Sequence, residues 1–310
     1  MKRKIIVVVL ILLHIPIVVY FVFPGLLYDL AINLERKSAD LVKKSLEVDH
    51  HTIFYLEGGV GEPIVLLHGF TADKDNWTRF AKSLTPMYHV VAIDLPGFGE
   101  SSKIGTESYS IAAQVKRIDT IISRLKLDKF HLAGNSMGGT IAGKYTVTAP
   151  DRVLSLALLN TGGIYSCEKS EFARLAERGE NPLLIQTPQD YDSMLQFVFV
   201  DPPFIPRPIK KYLTTQSILH KTFYEKILED LIEEKYSLEP ELTKIQVKTL
   251  VLWGDTDRLI HVSCTKALEK GLKTSTTVIM KNCGHLPMLE RPEETAKHYV
   301  EFLKKIYQSK

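Results

Sequence analysis

The sequence predicts an α/β fold: a mostly parallel central sheet flanked by helices, with a helical cap inserted into its second half. Three observations carry this expectation. Apolar runs rich in β-branched residues alternate with stretches of helical periodicity, and Gly and Pro punctuate the changes between them. The stretch from about Gly163 to Thr243 breaks that alternation. The 310 residues, 45% hydrophobic and 24% charged, suffice for one such domain with an insertion.

The chain opens on Lys2, Arg3 and Lys4 and then carries no charged residue from Ile5 to Tyr28. Ile5 to Phe23 is almost wholly apolar, interrupted by His14 and Pro16, and approaches the ~20 residues that a membrane-spanning helix needs. No small-x-small cleavage site follows in Pro24-Gly25-Leu26-Leu27-Tyr28, so residues 1–28 read as a retained single-pass anchor that places the protein at a membrane. Cations stand on both flanks, with Arg36, Lys37, Lys43 and Lys44 after the span, which leaves the side occupied by the folded domain open. Leu30, Leu34, Leu41, Val42 and Leu46 give residues 29–48 the pattern of an amphipathic linker helix, lying at lipid headgroups or simply solvated.

Residues 49–310 form the folded domain. Strands are expected near Thr52–Leu56, Ile64–Leu67, Val90–Ile93, Phe130–Ala133, Leu154–Leu159, Leu250–Trp253 and Thr277–Met280. Ile111, Val115, Ile118, Ile121, Ile122 and Leu125 share one helical face, and a second helix is expected from Thr295 to Ile306. Between about 163 and 243 come helical patterns, the run Phe197-Val198-Phe199-Val200, and Pro202, Pro203, Pro206 and Pro208, which read as the cap.

Composition excludes several function classes. The net charge of +3 matches the three cations at residues 2–4, so the other 36 Lys and Arg balance 36 Asp and Glu and leave no basic surplus for nucleic acid. Cys167, Cys264 and Cys283 lack the spacing of zinc sites or small disulfide frameworks and are assigned no role. Neither a metal nor an organic cofactor is expected, and the oligomeric state is not readable.

Gly134-Asn135-Ser136-Met137-Gly138 follows an apolar strand and precedes a helical stretch. A serine there sits on a turn so sharp that its hydroxyl projects above the sheet, with room only for hydrogen at the flanking glycines. A serine hydroxyl is a weak nucleophile, so it needs a base, and that base needs an orienting acid. Two carboxylates, Asp255 and Asp257, lie in the loop after Leu250–Trp253, and His285 follows the last strand. The chain order Ser, Asp, His is thus complete. His68-Gly69-Phe70 follows an early strand, where the Phe70 amide pairs with that of Met137 as an oxyanion hole.

These residues resemble the α/β-hydrolase superfamily from about Thr52 to Ile306, through Leu66-Leu67-His68-Gly69-Phe70, Asp94-Leu95-Pro96-Gly97-Phe98-Gly99-Glu100-Ser101, the serine turn and Gly284-His285. Within it the chain is similar to the membrane-bound monoacylglycerol lipases of the ABHD6 type and to related cold-active bacterial lipases. That narrower likeness rests on the apolar N-terminal segment, Asp73-Lys74-Asp75-Asn76-Trp77 and Pro202-Pro203-Phe204-Ile205-Pro206-Arg207-Pro208. The resemblance selects Asp257 as the acid, gives Asp94 and the Gly97/Gly99 turn a structural part, and departs at Ile260-His261, where a proline is common.

The expected activity is therefore that of a serine hydrolase acting through an acyl-enzyme. Its substrate class is carboxylic esters, monoacylglycerol or other lipid-derived esters foremost. Phe197, Phe199 and Phe204 either line an acyl channel under the cap or are ordinary cap core. Three other readings remain: a carbon–carbon bond hydrolase of the same fold, a thioesterase or amidase, and a non-catalytic binding protein on this scaffold.

Overall fold

The computed structural model describes residues 23–307. A helix, α1 (Pro24–Ser38), leads into an eight-stranded sheet made of β1 (Leu41–Val48), β2 (His51–Gly58), β3 (Glu62–Leu67), β4 (Tyr88–Ile93), β5 (Phe130–Asn135), β6 (Val153–Leu159), β7 (Thr249–Gly254) and β8 (Ser275–Met280). The spatial order is β1-β2-β4-β3-β5-β6-β7-β8. β1, β2 and β4 pair antiparallel; every pair from β4 and β3 through to β8 is parallel.

The parallel strands are buried on both faces, and their alternation feeds two cores. In β3, Val65 and Leu67 point into a cluster with the helix α3 (Ile111–Arg124) and the helix α4 (Met137–Thr148). Ile64 and Leu66 point the other way, toward a short α2 (Thr78–Ala81) and the C-terminal α10 (Pro292–Tyr307). This explains why these strands read as continuous apolar runs rather than alternating ones. Trp77, Phe80 and Tyr299 fill the second core, with ring centroids 5.4 Å and 5.7 Å apart along the chain of contacts.

The cap lies between β6 and β7. It comprises α5 (Glu171–Ala176), α6 (Pro188–Val198), the 28-residue α7 (Arg207–Glu234) and a 3-10 turn at Glu239–Lys244. Thr187 and Asp190 form a reciprocal capping box at the start of α6, which ends the preceding loop and sets the helix direction. After β7 come α8 (Cys264–Gly271) and, after β8, a one-turn α9 (Pro287–Glu290).

Three expectations are corrected here. No helix among the described residues is long and apolar enough to cross a membrane, so the expected membrane location through a single-pass span is not upheld. The apolar stretch at residues 5–22 lies outside the described residues. The last part of that reading, residues 24–28, instead begins α1, whose Tyr28 ring lies 5.2 Å from Tyr212 of α7. Arg36 fastens the other end of α1 through a bidentate, buried pair with Asp75 at 2.7 and 2.6 Å. Breaking such a pair on one side typically costs about 3–5 kcal/mol.

Second, residues 29–48 are not one amphipathic helix. The chain turns at Asp40 with φ 54° and continues as β1, an edge strand hydrogen-bonded to β2 in register from Leu41 opposite Gly58 to Val48 opposite His51. Leu41 and Val48 are buried, on opposite faces of the sheet, while Val42, Lys43 and Lys44 are exposed at its edge. Third, Cys167 and Cys264, assigned no role from spacing, are disulfide-bonded with a Cα–Cα distance of 4.8 Å. The bond ties the start of the cap to α8.

This disulfide closes a loop spanning 97 residues of sequence, and a link of that length removes about 4–5 kcal/mol of chain entropy from the unfolded state. Reducing the protein, or replacing Cys264 by Ala, is expected to lower the calorimetric melting temperature by several degrees. A thiol titration of the unfolded, unreduced chain should count one free group, Cys283; three reactive thiols would contradict the pairing.

Candidate active site

Every predicted chemical residue except the cap phenylalanines emerges at the carboxyl edge of the parallel strands. Ser136 follows β5 and caps α4 with φ 56° and ψ −121°, a left-handed geometry that costs a non-glycine residue energy and is held by its surroundings. The Ser136 amide donates to the Leu159 carbonyl, and the Ser136 carbonyl accepts from Gly139, Thr140 and Gly162. The turn admits no side chain on either flank. A Cβ on Gly134 would stand 2.2 Å from the Gly138 carbonyl oxygen, and one on Gly138 2.3 Å from that of Leu67.

His285 follows β8. Its amide donates to the Val198 carbonyl of the cap at 2.8 Å, and its carbonyl accepts from the Asn135 side chain at 3.1 Å. Its Nδ1 meets Asp257 Oδ2 at 2.8 Å, with both groups buried. The Asp257 carboxylate is otherwise saturated: Oδ2 accepts from Asn160 Nδ2 at 2.7 Å, and Oδ1 accepts from the Leu259 and Ile260 amides at 2.8 and 3.0 Å. Asp255 points elsewhere, accepting from the Asn282 amide and the Thr256 hydroxyl. Of the two carboxylates in this loop, the structure brings Asp257 to the imidazole.

The His68-Gly69-Phe70 loop lies against the serine, since a Cβ on Gly69 would come within 3.1 Å of the Ser136 Cβ. Among the described residues no acceptor takes the amide of Phe70 or of Met137, the first residue of α4. His68 braces this loop. The Leu95 amide donates to its Nε2 at 3.0 Å, which leaves Nδ1 protonated and donating to the Gly69 carbonyl at 2.7 Å. Beneath it Asp94 accepts from the Lys74 amide, the Lys74 ammonium and the Glu100 amide. A Cβ on Gly99 would stand 2.3 Å from that carboxylate, so the turn needs glycine there. Burial pushes the Cys283 thiol up to about 12, with Glu290 adding to it, so this neighbour of His285 stays a protonated packing group.

Ser136 and His285 line one cavity of about 440 Å³. Its apolar wall comes from the cap, with Leu183, Ile185, Met194, Leu195 and Phe199, and from Leu259 and Leu286. The three phenylalanines separate. Phe199 lines the cavity, Phe197 packs under the Arg258 guanidinium at 4.4 Å outside it, and Phe204 is 88% exposed. Phe197 lies in the last turn of α6 while Phe199 follows it in extended backbone, which sends the two side chains to different sides, and Phe204 follows the proline pair on the surface. Sequence reasoning missed Asn135 and Asn160, which hold His285 and Asp257, and the contribution of α1, whose Tyr28, Ile32 and Arg36 form part of the lining. Asn160 left one signal, a polar residue closing an apolar strand.

Comparison with known proteins gives a consistent result. A family model for the α/β hydrolase fold matches residues 62–187. Lipase 1 of Psychrobacter immobilis is 35% identical over 276 residues, 87% of each chain. Human monoacylglycerol lipase ABHD6 is 36% identical over 255 residues, covering 79% of this chain and 76% of its own. The crystal structure of a membrane phospholipase A, a bacterial virulence factor, superposes with a TM-score of 0.91 at 47% identity, covering 99% of both chains.

Burial holds the His68 imidazole down to about 4 from its ordinary 6.5, against the opposing pull of Asp94. Between those values the unfolded chain binds a proton that the folded site refuses. This group therefore removes stability as pH falls through 6.5, up to about 3 kcal/mol below 4. Urea unfolding at pH 7.5, 5.5 and 4.5 should show a smaller loss for His68→Asn than for the parent, each relative to its own value at pH 7.5. Equal losses would remove His68 from the acid response.

Proposed function

This chain belongs to the α/β-hydrolase family as a carboxylester hydrolase of the lipase type, and we propose that it works by serine catalysis on lipid esters. The observation that carries the reading is the buried His285–Asp257 pair, opening onto the same cavity as a serine held at positive φ.

His285 Nε2 removes the Ser136 proton as the serine oxygen attacks the ester carbonyl. Asp257, fixed by Asn160 and two amides, holds Nδ1 protonated and stabilises the imidazolium that forms. The alkoxide is received by the Phe70 and Met137 amides, whose charge-stabilising contribution is greatest in the transition state. The same imidazolium protonates the departing alcohol, and a water activated by His285 then releases the carboxylic acid. An apolar wall beside the serine suits an acyl chain, and the relatives named for monoacylglycerol lipase and phospholipase A activity support a glycerol-based lipid as the alcohol partner.

Release of fatty acid from monoacylglycerol and from phospholipid by the full chain tests the proposal. Ser136→Ala is expected to lower kcat by at least about 10⁴-fold and Asp257→Asn by about 10³–10⁴-fold, because the wrong tautomer cannot accept the serine proton. Asp255→Asn should stay within about threefold of the parent. Undiminished turnover by Ser136→Ala, or a larger loss from Asp255 than from Asp257, would sink the assignment.

A further inference from the structure

One part of the cavity is not apolar. Asp73 follows the Phe70 loop by three residues, and Tyr28, Tyr191, Tyr212 and Tyr224 line the same space. Burial, with the Asp73 charge added to it, holds the hydroxyls of Tyr28, Tyr191 and Tyr224 in the protonated form. Tyr212 joins the group through its ring contact with Tyr28, and Tyr224 packs on Phe70 at 6.0 Å. Tyr191 and Tyr224 line the cavity at 7% and 8% exposure, and among the described residues no hydrogen-bond partner is found for either hydroxyl. Asp73 Oδ1 accepts the Asp75 amide, and no donor is found for its second oxygen among the described residues.

The cations around this space are committed. Arg36 is paired with Asp75, Lys74 with Asp94, Arg79 with Glu35 and Lys221 with Glu225. What stays open is a carboxylate oxygen in a cavity that four tyrosines also line. That set accepts hydrogen bonds and attracts positive charge, and it repels an anion.

We propose that Asp73, with Tyr191 and Tyr224, forms the subsite for the alcohol half of the substrate and selects alcohols bearing a hydrogen-bond donor, either a glycerol hydroxyl or a headgroup ammonium. The assignment rests on the lipid-ester reading above and adds to it the residue that sets leaving-group preference. Asp73 sits on the loop that carries the Phe70 amide, so an alcohol held here keeps its ester carbonyl beside Ser136. The acyl chain is left to the apolar wall. Burial, with the charges of Asp75 and Asp94 added, pushes the Asp73 carboxyl up to about 7, and a hydrogen-bond donor bound beside it would favour its charged form.

Asp73→Asn is the test, because asparagine caps the following 3-10 turn as well as aspartate does and removes only the charge. The full chain in detergent micelles is assayed on monoacylglycerol, on lysophosphatidylethanolamine and on the methyl ester of the same fatty acid, which has no donor. The ratio of kcat/KM for monoacylglycerol to that for the methyl ester should fall about tenfold, chiefly through KM, with no drop in melting temperature. If the fall appears instead in the lysophosphatidylethanolamine ratio, the occupant is the ammonium and the subsite stands. Both ratios unchanged, with all activities falling together, would make Asp73 a support of the loop and overturn the assignment. Wild-type inactivity on all three esters would overturn the lipid-ester reading itself, and the subsite with it.

Discussion

The structure depends on a lack of space at one turn. Neither Gly134 nor Gly138 can carry even a methyl group without meeting a backbone oxygen at 2.2–2.3 Å. That closeness lets α4 start directly on the end of β5 and forces Ser136 into its left-handed conformation. The backbone of Ser136 then ties β6 to the turn through Leu159 and Gly162. Asn135 extends the same tie to His285 through its carbonyl. A crowded backbone therefore sets where the serine and the histidine stand relative to one another, and their side chains only complete it.

A second constraint acts on the neighbouring loops. Asp94 gathers the Lys74 amide and ammonium and the Glu100 amide, and His68 joins the Leu95 amide to the Gly69 carbonyl. Two loops that lie far apart in sequence are thereby locked under the Phe70 amide. Buried charge of this kind costs desolvation and repays little stability, so its return here is position. It fixes the Phe70 loop beside the serine turn.

The fold was legible because the parallel strands are buried on both faces and write themselves as apolar runs, and because the serine turn needs glycines at set positions. β1 was not legible: Leu41-Val42-Lys43-Lys44 at a sheet edge carries outward polar residues that fit a helical surface equally well. The Cys167–Cys264 pairing depends on how the cap folds back over 97 residues, which no local pattern encodes. Among site residues, chain order and strand ends pointed to Ser136, His285 and the loop holding Asp255 and Asp257, and the family resemblance chose Asp257 within it. The cap phenylalanines could not be sorted, since whether Phe197 or Phe199 faces the cavity depends on where α6 ends. Asp73 stood out only within the Asp73-Lys74-Asp75-Asn76-Trp77 stretch of the family likeness, since the tyrosines that share its cavity come from α1 and the cap.

The involvement of α1 has a practical side. Tyr28, Ile32 and Arg36 precede the first strand of the sheet, where a domain boundary would ordinarily be drawn and a shortened version of the protein begun. Cutting there would leave Asp75 without its guanidinium partner and open one side of the chamber to bulk water. A protein trimmed in this way keeps its sheet and its serine turn, yet it presents a wider and wetter chamber than the intact chain. Substrate profiles measured on it would describe a different enzyme.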